Sequence, residues 1–125
     1  MGNEHILVVD DNLANQKLVG FILERSGYRV RRALDAKEAL ELIAAHQFRL
    51  ILMDLQLPGM DGLSLTRRLR ERPEMNDVII VALTASAMRG DEEKALEAGC
   101  DGYLSKPIDT QTFAARVSGY LARAR

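Results

Sequence analysis

Apolar positions along this chain recur with two different periods. Residues 6–9, 50–53 and 78–83 are short, uninterrupted apolar runs, and between them apolar residues return every three or four positions. The first pattern predicts buried strands and the second predicts amphipathic helices. Strands are expected near residues 5–9, 28–33, 49–53, 78–83 and 101–105. Helices are expected near 13–26, 36–46, 62–71, 88–98 and 110–123. Strict alternation of the two kinds of element implies βα units around a parallel sheet.

Local signals agree with these elements. Leu18, Phe21 and Ile22 share a helical face, as do Ala36, Ala39, Leu40 and Ile43. Phe113, Val117 and Leu121 recur at i, i+4, i+8 along the last helix. Asp35-Ala36-Lys37-Glu38 reads as a capping box, and Asn12, Asp61 and Asp109 suit N-cap positions. Gly27 and Gly99 stand where helix C-termini are expected, and Gly90 falls inside the predicted fourth helix. The continuously apolar strands belong in the sheet interior. The arginine-rich strand near 28–33 belongs at one edge, and the short mixed strand near 101–105 at the other. The resulting order is 2-1-3-4-5, an α/β flavodoxin-like sheet with helices on both faces.

Four of the five strands stop on a polar residue. Asp10-Asp11 follow the first, Asp54 the third, Thr84 the fourth, and Lys106-Pro107 the fifth. In a parallel sheet these ends share one edge. The order places the winding reversal between the first and third strands, where ligands of open α/β sheets bind. Three carboxylates crowded there raise at least one pKa among them and invite a hard divalent cation. A carboxylate nucleophile, a hydroxyl and an ammonium suit phosphoryl transfer to an aspartate.

Composition narrows the partners. The 125 residues fit one domain, 1–125, and Lys+Arg 17 against Asp+Glu 18 argues against a dedicated nucleic-acid or polybasic membrane binder. The single cysteine, Cys100, excludes an internal disulfide and reads as a small buried residue. No apolar stretch is long enough to span a membrane. The amino-terminal residues lack signal-peptide character, and Ile6 stands where a myristoylation motif needs Ser or Thr. A cytoplasmic location is expected.

In combination, several segments resemble the receiver domain of two-component response regulators, from about His5 to Leu121. They are Val8-Val9-Asp10-Asp11-Asn12, Leu52-Met53-Asp54-Leu55-Gln56-Leu57-Pro58-Gly59-Met60-Asp61-Gly62, Leu83-Thr84-Ala85 and Gly102-Tyr103-Leu104-Ser105-Lys106-Pro107. The segment from Thr84 to Glu93 is similar to single-domain regulators of the DivK kind and to receivers of hybrid histidine kinases. The resemblance implies that Asp54 is the phosphoacceptor. It implies Mg2+ on Asp11, Asp54 and the backbone carbonyl of Gln56, with Asp10 acting through water. Thr84 and Lys106 would bind phosphoryl oxygens, Tyr103 would be the switch aromatic, and Lys106-Pro107 a cis peptide.

Gln56, Ala85 and Ser86 occupy positions that vary in the family and would tune the lifetime of the phosphoryl group. The implied partners are a sensor histidine kinase or histidine phosphotransfer protein, docking on the first helix near Ala14, Lys17 and Leu18. A downstream protein would read the face of helix 4, strand 5 and helix 5. The chain would be a switch that assists its own phosphorylation, not an enzyme with a separate substrate. The sequence leaves open whether it stands alone or belongs to a hybrid kinase or multidomain regulator. Two other classes are disfavoured. A haloacid-dehalogenase-type phosphatase needs an acid where Gln56 stands, and a flavin module would not place Asp10-Asp11 against a phosphate.

Overall fold

The computed structural model describes residues 4–84 and 90–123. Five strands, β1 (His5–Val9), β2 (Arg29–Ala33), β3 (Leu50–Asp54), β4 (Ile79–Thr84) and β5 (Gly102–Ser105), form one parallel sheet in the order β2-β1-β3-β4-β5. Between and after them run α1 (Leu13–Arg25), α2 (Ala36–Ala45), α3 (Gly62–Arg70), α4 (Asp91–Ala98) and α5 (Phe113–Leu121). A 3-10 turn, Pro73–Met75, precedes β4. The expected order is therefore observed. The arginines of β2 lie on an edge strand, where charge discourages further pairing.

Alternate residues of each interior strand feed two cores. Leu7, Val9, Ile51, Met53, Ile80 and Ala82 pack with residues of α2, α3 and α4, including Ala39, Leu65, Leu69 and Ala95. Ile6, Val8, Leu50, Leu52, Val81 and Leu83 pack on the other face with Val19, Leu23, Phe113 and Val117 of α1 and α5. Every β1 residue from Ile6 to Val9 is fully buried, as a strand covered on both faces requires. Among the described residues no helix is long and apolar enough to cross a membrane.

Caps hold the helix ends. Asn12 accepts from the Asn15 N–H, Asp35 from Glu38, and Asp61 from Ser64. Glu38 reaches back to the Leu34 N–H rather than to that of Asp35, so the expected box is displaced by one residue. After α1, Tyr28 N–H bonds Leu23 and Gly27 N–H bonds Glu24, with Gly27 left-handed; Gly99 closes α4 in the same way. Arg70 ties three segments together. Its guanidinium donates to the carbonyls of Gly99 (2.8 Å) and Met75 (2.6 Å) and to the Asp101 carboxylate (2.7 Å).

Three expectations are corrected. The buried stripe of α1 is Gln16, Val19, Gly20 and Leu23, while Phe21 is 58% and Leu18 37% exposed. The helix carries two apolar stripes; of Leu18, Phe21 and Ile22, only Ile22 packs against the core, while Leu18 and Phe21 face outward. The last helix begins at Phe113, not 110, because Asp109 spends its carboxylate on the Gln111 N–H in a turn ahead of it. Gly90 is not inside α4; it precedes Asp91 with φ 92° and serves as its N-cap. The expected helix start at 88–89, Ala85 and Ser86 lie outside the described residues.

The position of Gly90 has a measurable consequence. A side chain there meets open space, so Gly90→Ala should cost roughly 1 kcal/mol for the left-handed backbone alone. Gly99→Ala should cost more, since its Cβ would also lie 2.6 Å from Arg70 Cγ. Urea unfolding checks both, and a Gly90→Ala variant more stable than the parent would restore the mid-helix placement.

Candidate functional site

The carboxyl ends of the strands gather the polar residues on one edge. Asp54 and Thr84 are the last residues of β3 and β4, one position later than the sequence pattern suggests, because their backbones still pair with Leu83 and Ser105. Asp10 directly follows β1 and is held there by its N–H to Ala33 (3.0 Å). Lys106 directly follows β5, tied by its N–H to Thr84 (2.7 Å). The Lys106–Pro107 peptide is cis.

Asp10, Asp11 and Asp54 each present a carboxylate oxygen within 4.8 Å of the other two. Asp10 and Asp54 are buried and Asp11 faces solvent. The Lys106 ammonium bridges the buried pair, 3.1 Å from Asp10 Oδ2 and 3.1 Å from Asp54 Oδ2. Asp54 Oδ1 accepts from the Gln56 N–H at 3.0 Å. Thr84 is buried at the same edge.

Three oxygens from hard ligands, one open to water, fit a small divalent cation. Three formal negative charges against one ammonium also leave an excess that a cation would neutralise.

The two buried carboxylates are driven apart electrostatically. Burial presses the Asp10 carboxyl upward, but hydrogen bonds from the Asn15 side chain, the Asn12 N–H and Lys106 outweigh it and hold the group below its ordinary value. Burial also pushes Asp54 up, Asp10's charge adds to it, and the Gln56 N–H and Lys106 do not compensate, so Asp54 lies above its ordinary value. Burial pulls Lys106 down, yet its bonds to Asp10 and Asp54 prevail and raise it. The set is one coupled system with a strongly held cation.

The scaffold brings Asn15 and Gln16 into this site, which the sequence pattern did not single out. Asn15 Nδ2 donates to Asp10 Oδ2. Buried Gln16 sends Nε2 to the carbonyls of Val8 (2.9 Å), Asp10 (3.0 Å) and Ala33 (2.9 Å), pinning the ends of β1 and β2 to the first turns of α1. Their spacing of five and six residues beyond Asp10 was the available signal. Gly62 also matters, since a Cβ there would lie 2.4 Å from the Asp54 carbonyl oxygen; only glycine lets α3 start this close to β3.

Tyr103 is half-buried and packs against the core beneath α2, α3 and α4. Partial burial and the nearby charges of Asp91 and Glu92 raise its hydroxyl's pKa. Cys100 is buried against Thr66, and burial pushes its thiol up to about 11, so it is inert at neutral pH.

A parallel sheet with an acidic cluster and a lysine at its switch point forms an aspartate cup suited to a divalent cation and an anionic group. Residues 6–118 match the response regulator receiver domain. The polar-differentiation response regulator DivK of Brucella anthropi is 41% identical over 119 residues, covering 95% of this chain and 97% of that protein. The receiver domain of a sensor histidine kinase from Pseudomonas aeruginosa, solved with a magnesium ion in its active-site cleft, superposes with a TM-score of 0.87 at 36% identity, covering 97% of this chain and 99% of that one. The chemotaxis response regulator CheY4 of Vibrio cholerae gives 0.89 at 25% identity, covering 94% and 98%. The chain belongs to the response regulator receiver family of two-component signalling.

Because folding raises the Asp54 pKa, the unfolded chain ionises this group more readily, and its charge at neutral pH opposes folding. Asp54→Asn should therefore raise the thermal midpoint at pH 7 without metal, as read by scanning calorimetry. The gain should fade as pH falls below about 4, where the unfolded carboxyl is also protonated. A lower midpoint for the variant at pH 7 would mean that the Lys106 bridge outweighs burial and repulsion.

Proposed function

We propose that this chain is a single receiver unit, 1–125, that takes a phosphoryl group on Asp54 from a histidine kinase or a histidine phosphotransfer protein. The observation that carries the reading is the Lys106 ammonium bridging Asp54 and Asp10, with Asp11 beside them. The Asp54 carboxylate attacks phosphorus. An O–P bond forms, the donor's bond to phosphorus breaks, and the electron pair leaves with the donor. With acetyl phosphate the leaving group is acetate.

Asp11, Asp54 and the Gln56 carbonyl would hold Mg2+, and Asp10 would act through water. Bound there, the ion neutralises charge building on the transferring oxygens. Lys106 and Thr84 take the remaining phosphoryl oxygens, and the extra anionic charge draws both inward. Tyr103, in strand β5, then shifts toward the space Thr84 leaves, and the face of α4, β5 and α5 changes for a downstream protein. The balance is a population shift that requires a partner preferring one state. Nothing in this scheme needs a second substrate, so the domain acts as a switch rather than an enzyme, in the cytoplasm.

The exposed side of α1 supports docking of the phosphodonor. Leu13 is 64% and Phe21 58% exposed, and a cavity of about 420 Å3 runs between Leu18, Phe21, Ile22 and Arg25 of α1 and Thr110 and Ala114 near α5. Exposed apolar residues clustered on one helix mark a protein-binding surface. This supports a contact that adds Leu13 and Phe21 to Ala14, Lys17 and Leu18, all of them exposed.

Acetyl phosphate with Mg2+ should label the wild-type chain, and Asp54→Asn should lose labelling by at least about a hundredfold, as removal of a nucleophile does. EDTA should stop labelling of the wild type. Phosphate-affinity electrophoresis reads both arms; full labelling of Asp54→Asn removes Asp54 from the acceptor role, and labelling in EDTA removes the metal.

A further inference from the structure

Lys106 faces a conflict of duties. At rest its ammonium serves two buried carboxylates, Asp10 and Asp54, each at 3.1 Å. To receive a phosphoryl oxygen it must give up part of that bridge. Asp10 is fully buried, and a buried carboxylate stripped of donors is costly. The transfer is feasible only if other donors keep Asp10 satisfied when the ammonium moves.

Those donors are present, and they come from one short segment. Asp10 Oδ1 accepts from the Asn12 N–H at 2.9 Å. Asp10 Oδ2, the oxygen that Lys106 contacts, also accepts from Asn15 Nδ2. The Asn15 side chain is half-buried on the first turn of α1, whose backbone is fixed by the Asn12 cap and by Gln16. It is a neutral donor and so adds no cation to compete for the phosphoryl group. It also shares its acceptor atom with the residue that must move.

We propose that Asn15 is a positioning residue that holds Asp10 in place of Lys106, releasing the ammonium toward the phosphoryl group on Asp54. The inference rests on Asp54 being the acceptor. Asn15 touches neither the phosphoryl group nor the donor; it acts through Asp10 and Lys106. Without it, the donors left to Asp10 among the described residues are the Asn12 N–H on Oδ1 and Lys106 on Oδ2, so the ammonium is held on Asp10.

Asn15→Leu keeps the volume and the backbone cap while removing the donor. Two experiments on the full chain test the idea. In the first, labelling by acetyl phosphate at saturating Mg2+ should slow by about tenfold to a hundredfold, the effect of one lost hydrogen bond to a charged group. Calorimetric Mg2+ affinity should stay within about twofold, since Asp11 and Asp54 are untouched. In the second, urea unfolding of Asn15→Leu, Lys106→Ala and the double variant without metal should be non-additive. Losing both donors to one oxygen should cost more than the two single losses together, a coupling that general damage to α1 does not produce.

A wild-type labelling rate, additive stabilities, or a loss of Mg2+ affinity beyond about fivefold each overturns the proposal. Asp54→Asn in the same labelling assay separates the two levels. If it stays unlabelled while Asn15→Leu behaves as wild type, only the role of Asn15 falls. If it labels fully, the acceptor assignment falls.

Discussion

One ammonium held between two buried carboxylates is the interaction on which the rest of the site depends. Asp10 and Asp54 sit at the ends of neighbouring strands, at the point where the winding of the sheet reverses. Lys106 reaches them from β5, at the far edge of the sheet. Burial makes the arrangement costly, and that cost is its use. The cup is short of positive charge at rest, so a divalent cation relieves it. In the proposed scheme, a phosphoryl group would then give Lys106 a second place to go. The opposed shifts of Asp10 and Asp54 express the same imbalance, because one carboxylate has three donors and the other has two with a like charge beside it.

The fold exists largely to hold this geometry. Two cores on opposite faces lock the sheet, with β1 buried from Ile6 to Val9 and β3 and β4 buried to their polar last residues. Gln16 pins the ends of β1 and β2, and Gly62 lets α3 start against the Asp54 backbone. At the far side, Arg70 clamps the end of α4 to Asp101 ahead of β5, fixing the strand from which Lys106 projects. Tyr103 lies between that strand and the acidic first turn of α4, so a change at the cup has a short path to the surface.

Much of this was legible in the sequence because strands covered on both faces must be continuously apolar. A polar residue ending each run then marks the sheet edge. The order of the strands followed from the arginines of β2 and the shortness of β5, and their convergence put Asp10, Asp11, Asp54, Thr84 and Lys106 together. The fold thus rested on period and burial, both one-dimensional signals. What escaped was decided by three-dimensional choice. In α1 two apolar stripes competed, and only packing selects Val19 and Leu23 over Leu18 and Phe21. Gly90 fits a helix interior or its start equally well by sequence, and its left-handed backbone settles it at the start. Asn15 and Gln16 look like ordinary polar residues of a helix until the turn brings them to Asp10.

The central claim is that one particular carboxylate in the cup carries the phosphoryl group. Borohydride reduces an acyl phosphate to an alcohol, so trapping the phosphorylated chain and mapping its peptides by mass spectrometry identifies the acceptor directly. The account predicts homoserine at position 54 and unchanged aspartate at positions 10 and 11. Homoserine at either of those two positions, or at none of the three in a chain that had been phosphorylated, would contradict it.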